Sequence, residues 1–346
     1  MIRLAIDAAN FVQDRRGMGR VARPIVRAAL DDPRFTVTLL AKKRDANALR
    51  SDFGADVLIR DPACAAKRSL FDLVWLPFNA MRYRCAAPTL VTIYDAFAFT
   101  DPAKGFIARR REQAPIRRAA KYATRIVTIS QWSAHQIATI LRVHPDRIAV
   151  IHPMPDPFFF PAQGDTLPPN LQAKNFVLFV AGPEPRKNAR LLIEACAKAL
   201  RAPDEILAVV GNLGDRNEEL LRAYAPPHVR LRADDDLLRA LYRNATLVAV
   251  PSSGEGFGLV ATEAMACGAP VLAANAAALP EATGGDALLL DAHSVKAWAQ
   301  ALRALLDDSA QRSALAARGA SRYAFADRKR PIRAMLTLLE KTAEPG

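Results

Sequence analysis

The stretch from Thr246 to Ala274, TLVAVPSSGEGFGLVATEAMACGAPVLAA, leaves the chain few ways to fold. Five β-prone residues, Thr246 to Val250, run into a Pro/Ser/Gly loop. An apolar helical pattern follows from about Gly258 to Cys267. Gly268 sits where a left-handed helix stop needs no Cβ, Pro270 keeps the helix from resuming, and Val271 to Ala274 begins another strand. This is a βαβ crossover, and in open parallel sheets a ligand sits where strand ends meet helix starts.

The loop of this unit has the chemistry of an anion site. Glycines around Phe257 let a ligand approach the backbone, and the helix N-terminus carries about half a positive charge. Glu255 and Glu263 are separated by the loop and more than one helical turn, too far for the paired carboxylates of a retaining hydrolase, which stand about 5 to 5.5 Å apart. They suit the two ends of one extended ligand, since carboxylates accept hydrogen bonds from sugar hydroxyls.

The same alternation extends along the chain. Strand-like runs stand at Arg3 to Asp7, Thr36 to Leu40, Val57 to Ile59, Leu73 to Leu76, Leu90 to Ile93 and Ile126 to Ile129, separated by helix-length segments. Phe176 to Val180, Ile206 to Val210 and Leu288 to Leu290 continue it. The pattern predicts α/β domains with parallel sheets. Between them HPMPDPFFFPAQGDTLPPN, from His152 to Asn170, holds six prolines and reads as a linker. With 346 residues there is room for two domains. The expected division is 1–165, 166–325 and a closing helix over 326–346.

Net charge narrows the partners. The chain carries +13, of which +11 falls on residues 1–165. A basic first half suits a polyanion or an anionic membrane surface. Gly105 to Thr124 concentrates that charge among Phe106, Ile107, Ile116 and Tyr122, with Pro115 expected to break or kink it; a solvated helix face is the alternative. No run of about 18 apolar residues is present, and the N-terminal residues read as a first strand rather than a signal peptide. The expected location is cytoplasmic, peripheral on the inner face of the cell membrane if the basic segment binds there. Cys64, Cys85, Cys196 and Cys267 lack paired spacing, so reduced structural cysteines and no metal site are expected.

Other segments offer candidate site residues. Gly182-Pro183-Glu184-Pro185-Arg186-Lys187-Asn188 follows a strand and precedes a helix, and two adjacent cations there suit a diphosphate. Gly211-Asn212-Leu213-Gly214 ends the next strand. Asp234 to Asp236 stand at a helix start, where acids are favoured. Gly17 and Gly19 lie between the first strand and helix without the third glycine of a dinucleotide fingerprint, and a plain turn remains open. Ser130 reads as an N-cap.

Glu255-Gly256-Phe257-Gly258-Leu259 followed by Glu263-Ala264-Met265-Ala266-Cys267-Gly268-Ala269-Pro270-Val271, together with Glu184-Pro185-Arg186-Lys187-Asn188, resembles the family 4 retaining glycosyltransferases. The resemblance implies the GT-B fold, two Rossmann-like doubly wound domains facing across a cleft, with acceptor in the first and donor in the second. It gives Glu255 the donor-sugar hydroxyls, Gly256, Phe257, Gly258 and Leu259 the sugar and diphosphate, Glu263 the ribose, and Arg186 and Lys187 the diphosphate. Gly211, Asn212 and Leu213 would flank the nucleotide base. Gly17 and Gly19 would edge the donor phosphates or the acceptor, and the closing helix would cross back onto the first domain. Where members carry His-Asp this chain has Tyr94-Asp95; tyrosine, with a pKa near 10, is a poor base at neutral pH. Asp95 either orients the acceptor or caps the next turn.

The implied reaction moves a hexose, with retention and without metal, from a GDP- or UDP-linked donor to a glycan or lipid-linked glycan. Mannosyl transfer in surface polysaccharide biosynthesis is the branch it most resembles. Apart from the donor substrate no cofactor is expected, and no nucleic-acid partner, since no nucleic-acid module is recognised. A nucleotide-sugar epimerase of the same fold and a catalytically inactive nucleotide-sugar or glycan binder stay open.

Overall fold

The computed structural model describes residues 1–14, 17–67, 69–100, 106–324 and 326–344, with only the backbone of residue 106. Gly105, the first residue of the basic segment singled out above, lies outside the described residues. In chain order the elements are β1 (Ile2–Asp7), α1 (Met18–Asp31), β2 (Phe35–Leu40), α2 (Ala46–Phe53), β3 (Leu58–Arg60), β4 (Leu73–Leu76), β5 (Thr89–Thr92), α3 (Phe97–Thr100), α4 (Phe106–Tyr122), β6 (Arg125–Thr128), α5 (Gln131–Leu141) and β7 (Ile148–Val150). They continue with β8 (Asn175–Val180), α6 (Ala189–Ala199), β9 (Glu205–Val210), α7 (Asp215–Tyr224), β10 (His228–Leu231), α8 (Asp235–Asn244), β11 (Leu247–Val250), α9 (Leu259–Ala266) and β12 (Val271–Ala274). The last are α10 (Leu279–Thr283), β13 (Leu288–Leu290), α11 (Val295–Asp307), α12 (Ser309–Ala324) and α13 (Arg330–Ala343).

The chain divides into two units, Met1–Pro153 with the segment from Lys329, and Met154–Arg328. In the first, strands run in the order β3-β2-β1-β4-β5-β6-β7; in the second, β10-β9-β8-β11-β12-β13. Neighbouring strands pair parallel in both sheets. This follows from the sequence of the central strands. Phe176 to Phe179 and all of β9 are buried, and strands covered by helices on both faces must be apolar on both.

The linker after Pro153 belongs to the second unit, including the residues up to 165 that the sequence reading gave to the first. Phe159 is 1% exposed in the core of that unit, edge-on to Tyr242 at 5.7 Å. The Arg239 guanidinium lies 3.9 Å from the Phe158 ring centroid, and Arg243 donates to the Phe160 carbonyl and to both Asp165 oxygens. Aromatic rings and an acid thus tie a proline-rich strand of chain to α8. α13 buries Met335, Leu336, Leu338 and Leu339 in the first unit.

Pro115 does not break its helix: α4 runs through it. The proline removes one ladder bond, but its own carbonyl accepts the Met81 N–H at 3.2 Å, tying the helix to the loop after β4. Ser130 caps α5 by accepting from the Ser133 N–H at 2.9 Å, and Asp234 caps α8 through Leu237 N–H. The four cysteines are free thiols, with Cys196 and Cys267 buried. Among the described residues no helix is long and apolar enough to cross a membrane.

Candidate functional site

In the second sheet the winding reverses between β8 and β11: β9 and β10 lie to one side, β12 and β13 to the other. The carboxyl ends of β8 and β11 at such a reversal are where open parallel sheets hold ligands in a crevice. The sequence places Glu184, Arg186 and Lys187 in the loop after β8 and Glu255 in the loop after β11.

After β8 the chain makes a 3-10 turn over Pro185–Lys187 and enters α6 through Asn188, whose φ is 54°. The Asn188 amide donates to the Pro251 carbonyl at 3.1 Å and to the Ala292 carbonyl at 2.8 Å. Ser253 N–H donates to the Arg186 carbonyl at 2.8 Å. These bonds clamp the loop after β8 onto the loop after β11 and fix the cations before any ligand arrives.

Lys187 Nζ then stands 2.7 Å from Glu255 Oε1. Arg186 Nη1 is 3.4 Å from Glu255 Oε2 and donates to the Gly254 carbonyl at 3.0 Å. The three side chains are 17%, 27% and 12% exposed, so their charges are only partly screened. Burial pushes the Glu255 carboxyl up, yet the charges of Lys187 and Arg186 and hydrogen bonds from Lys187 and Ser252 outweigh it and leave it below the ordinary range. The site thus gathers two cations around the ionised Glu255, with the more exposed Glu184 also 3.8 Å from Arg186.

Gly258 opens α9 with φ 116°, and a Cβ there would fall 2.7 Å from Leu279 Cδ2. Only glycine meets both demands. The turn it permits starts α9 shortly after Glu255, where the first N–H groups of a helix lack intrahelical partners. Phe257 is 6% exposed, so its ring packs inward and only its backbone serves the loop.

The loop after β9 closes the other side. A Cβ on Gly211 would lie 2.9 Å from the Ala181 carbonyl oxygen, so this loop presses on the one after β8. Asn212 Oδ1 accepts from Gly214 N–H at 2.9 Å and shapes the turn. The Leu213 side chain is fully buried in the core; what it can show a nucleotide is its backbone. Glu263 is 4% exposed and accepts from the Tyr242 hydroxyl at 3.3 Å.

The first-unit candidates lie at the carboxyl ends of their own strands and are held differently. Gly17 caps α1 with φ 55°, and a Cβ on Gly19 would lie 2.0 Å from the Asp14 carbonyl oxygen. The Tyr94 hydroxyl donates to the Met18 carbonyl at 3.2 Å, and burial raises its pKa further above the ordinary tyrosine value. Tyr94 therefore braces the start of α1 and is no proton acceptor. Asp95 Oδ1 accepts from Phe97 N–H at 3.1 Å, which is the cap that the sequence left open.

Sequence reading did not single out Ser252, or Asn188 beyond its place in the Glu-Pro-Arg-Lys-Asn run. The signal for Asn188 was present: an asparagine between two cations and a helix start tolerates the left-handed backbone and can cap.

Residues 168–322, which contain this whole crevice, match the family model described as Glycosyl transferases group 1. The D-inositol 3-phosphate glycosyltransferase of Mycobacterium sp. (strain JLS) is 35% identical over 212 residues, 53% of this chain and 45% of that protein. The enzyme of that name from Salinispora tropica is 37% identical over 233 residues, 58% of this chain and 47% of that protein. The chain spans about half the length of the curated relatives it matches.

Among solved structures, Anabaena Alr3699/HepE in complex with UDP and glucose is similar with a TM-score of 0.74 at 16% identity, over 99% of this chain and 100% of that one. WaaG, a glycosyltransferase involved in lipopolysaccharide biosynthesis, is similar with a TM-score of 0.73 at 18% identity, over 98% and 99%. At such identities the likeness carries the fold, two Rossmann-like parallel-sheet domains of the GT-B type. Residues 168–322 are accordingly similar to the glycosyl transferases group 1 domain, within a chain of GT-B fold.

Proposed function

We propose that the protein transfers a hexosyl group from a nucleotide diphosphosugar to a hydroxyl acceptor, with retention of configuration. The observation that carries this reading is the meeting of Lys187, Arg186 and Glu255 at the reversal of the second sheet, beside the glycine-opened end of α9.

A diphosphate seated there takes the place of Glu255 as the counter-charge of Lys187 and Arg186. The displaced carboxylate is then free to accept from sugar hydroxyls, which is the role the sequence gave it. As the bond from C1 to the diphosphate oxygen breaks, negative charge gathers on the departing diphosphate. Lysine, arginine and the helix amides meet it without reorganising, an electrostatic contribution of the oxyanion-hole kind. The acceptor oxygen bonds to C1 on the face that the diphosphate leaves, and its proton passes to a diphosphate oxygen. Neither Tyr94 nor an enzymic nucleophile is required, and no metal enters the scheme.

The UDP and UDP-glucose complexes of similar fold favour a UDP-linked donor, with GDP-mannose as the other candidate. For the acceptor, the sequence resemblance favours a glycan or lipid-linked glycan in polysaccharide synthesis at the inner face of the cell membrane. The names of the curated relatives favour a second reading, a phosphorylated polyol such as D-inositol 3-phosphate.

Incubation with labelled UDP-glucose, UDP-N-acetylglucosamine and GDP-mannose, with and without each acceptor class, tests the proposal. Label moving to the acceptor supports transfer. An isomeric nucleotide sugar without acceptor identifies an epimerase, and binding without turnover identifies a binding protein; either result overturns the proposal.

A further inference from the structure

Glu263 stands in the second turn of α9, and the helix gives its side chain a direction. Helical side chains lean toward the N-terminus, over the turn that precedes their own Cα. For Glu263 that turn holds Leu259 and Val260, both only partly buried, at the end of α9 nearest the loop after β11. The carboxylate therefore lies toward the crevice end of the helix, although Glu263 as a whole is 4% exposed.

A carboxylate taken out of water costs free energy unless hydrogen bonds replace those it gave up. Tyr242 on α8 supplies one, its hydroxyl donating to Glu263 Oε2 at 3.3 Å. That is long for an O–H···O bond, so without ligand it orients the carboxylate more than it binds it. The tyrosine is held in turn. Its side chain is fully buried, Phe159 meets its ring edge-on, and Arg328 Nη1 donates to the Phe159 carbonyl at 2.8 Å. A ring packed into a core at that density keeps one rotamer. An arginine and a linker aromatic thus fix the point from which the hydroxyl reaches α9.

One bond to Oε2 sets the plane of the carboxylate. The group has about four lone-pair sites, more than Tyr242 takes, so it can accept from neighbouring hydroxyls of a ligand as well. We propose that Tyr242 is a positioning residue for nucleotide binding. It aims Glu263 at the adjacent 2′- and 3′-hydroxyls of a ribose, and through that carboxylate the second unit selects ribonucleoside over deoxyribonucleoside diphosphates. The inference rests on the nucleotide-sugar reading of the crevice.

The test titrates uridine and guanosine diphosphate, and their 2′,3′-dideoxy forms, calorimetrically into wild type, Tyr242→Phe, Glu263→Gln and the double variant. Tyr323→Phe is the control: it too gives up a buried tyrosine hydroxyl in the second unit, one that donates to the Ala282 carbonyl at 3.4 Å. For the nucleotide that binds, wild type should prefer the ribose form roughly 10- to 100-fold, the worth of hydrogen bonds to a charged group. Tyr242→Phe should narrow that preference about three- to tenfold while the dideoxy form keeps its affinity within about twofold. Glu263→Gln should narrow it too, and adding Tyr242→Phe should then change it no further. Tyr323→Phe should leave it unchanged. Phe159→Leu, which loosens the Tyr242 ring and spares both bonding groups, should narrow it in the same direction and takes the place of Tyr242→Phe if that variant does not fold.

With a diphosphate bound, four results overturn the inference and leave the donor reading standing. They are no ribose preference in wild type, a preference that Tyr242→Phe leaves untouched, equal weakening of both forms, and the same narrowing in the control or a further one in the double variant. A wild type that binds neither diphosphate overturns the donor reading and this inference with it.

Discussion

The two units build the same kind of sheet and use its strand ends differently. Each reverses its winding at a central pair, β1 and β4 in one, β8 and β11 in the other. In the second unit the reversal brings Lys187, Arg186 and Glu255 into contact. In the first, Tyr94, Asp95 and Gly19 are engaged with nearby backbone at Met18, Phe97 and Asp14. Net charge misleads here. The nearly neutral second half holds the converging cations, whereas much of the excess of the first half sits on a helix, where α4 carries six cations and one acid. Where charges converge says more about chemistry than how many there are.

The sharpest way to break this contrast is to compare Lys187→Ala with Tyr94→Phe. Loss of the lysine should lower transfer by about 10²- to 10³-fold, the effect of removing one charge-stabilising donor. Tyr94→Phe should leave transfer within about tenfold of wild type, since the ring keeps its place and only one neutral hydrogen bond goes. Equal losses in the assay would mean that the first unit supplies chemistry its geometry does not reveal.

Next in size is an effect on stability in the second unit. Glu205 is 6% exposed, and Arg303 holds it through bonds of 2.8 Å to each carboxylate oxygen. Hydrogen bonds from Arg303 keep its carboxyl at about 2, against an ordinary 4.5. A carboxyl lowered on folding adds stability above the unfolded value, and that contribution fades as pH falls from about 4.5 through about 2. Arg303→Ala should cost about 3 kcal/mol at neutral pH. It should also flatten the loss of thermal stability across that acid window, which unfolding scans at several pH values will read.

Smaller effects sharpen the structural reading of the first unit. Gly19→Ala should destabilise by about 1 to 3 kcal/mol, because its Cβ would overlap backbone at Asp14 rather than a side chain that can move away. Tyr94→Phe should cost only about 1 kcal/mol in denaturant unfolding. A glycine substitution that abolished transfer while leaving stability intact would restore that loop to the binding machinery.

The inner strands were legible because they are unbroken apolar runs with glycine or proline close to one end, as in Phe176 to Val180 before Gly182 and Val271 to Ala274 after Pro270. β7 and β10 escaped the sequence reading for a physical reason. Both are edge strands, and His228–Leu231 alternates between exposed and half-buried positions, so no apolar run announces it. α7 is polar on most faces and buries only Leu221.

At the site, residue types and spacing singled out Glu255, Arg186 and Lys187, whose side chains meet in the structure. The clamp through Asn188, the inward turn of Leu213 and the burial of Glu263 behind Tyr242 depend on contacts between residues far apart in the chain, 21 apart for Tyr242 and Glu263 and 104 for Asn188 and Ala292. Local pattern carries no record of those.

The account rests on a diphosphate being gripped between Lys187, Arg186 and the start of α9. Calorimetric titration of uridine diphosphate and guanosine diphosphate into wild-type protein and Lys187→Ala tests this most directly. The cognate nucleotide should bind wild type and weaken roughly 10- to 100-fold in the variant, as expected for losing a charge-assisted contact. Equal affinity in the two proteins, with the variant folded, would place the nucleotide elsewhere and contradict the account.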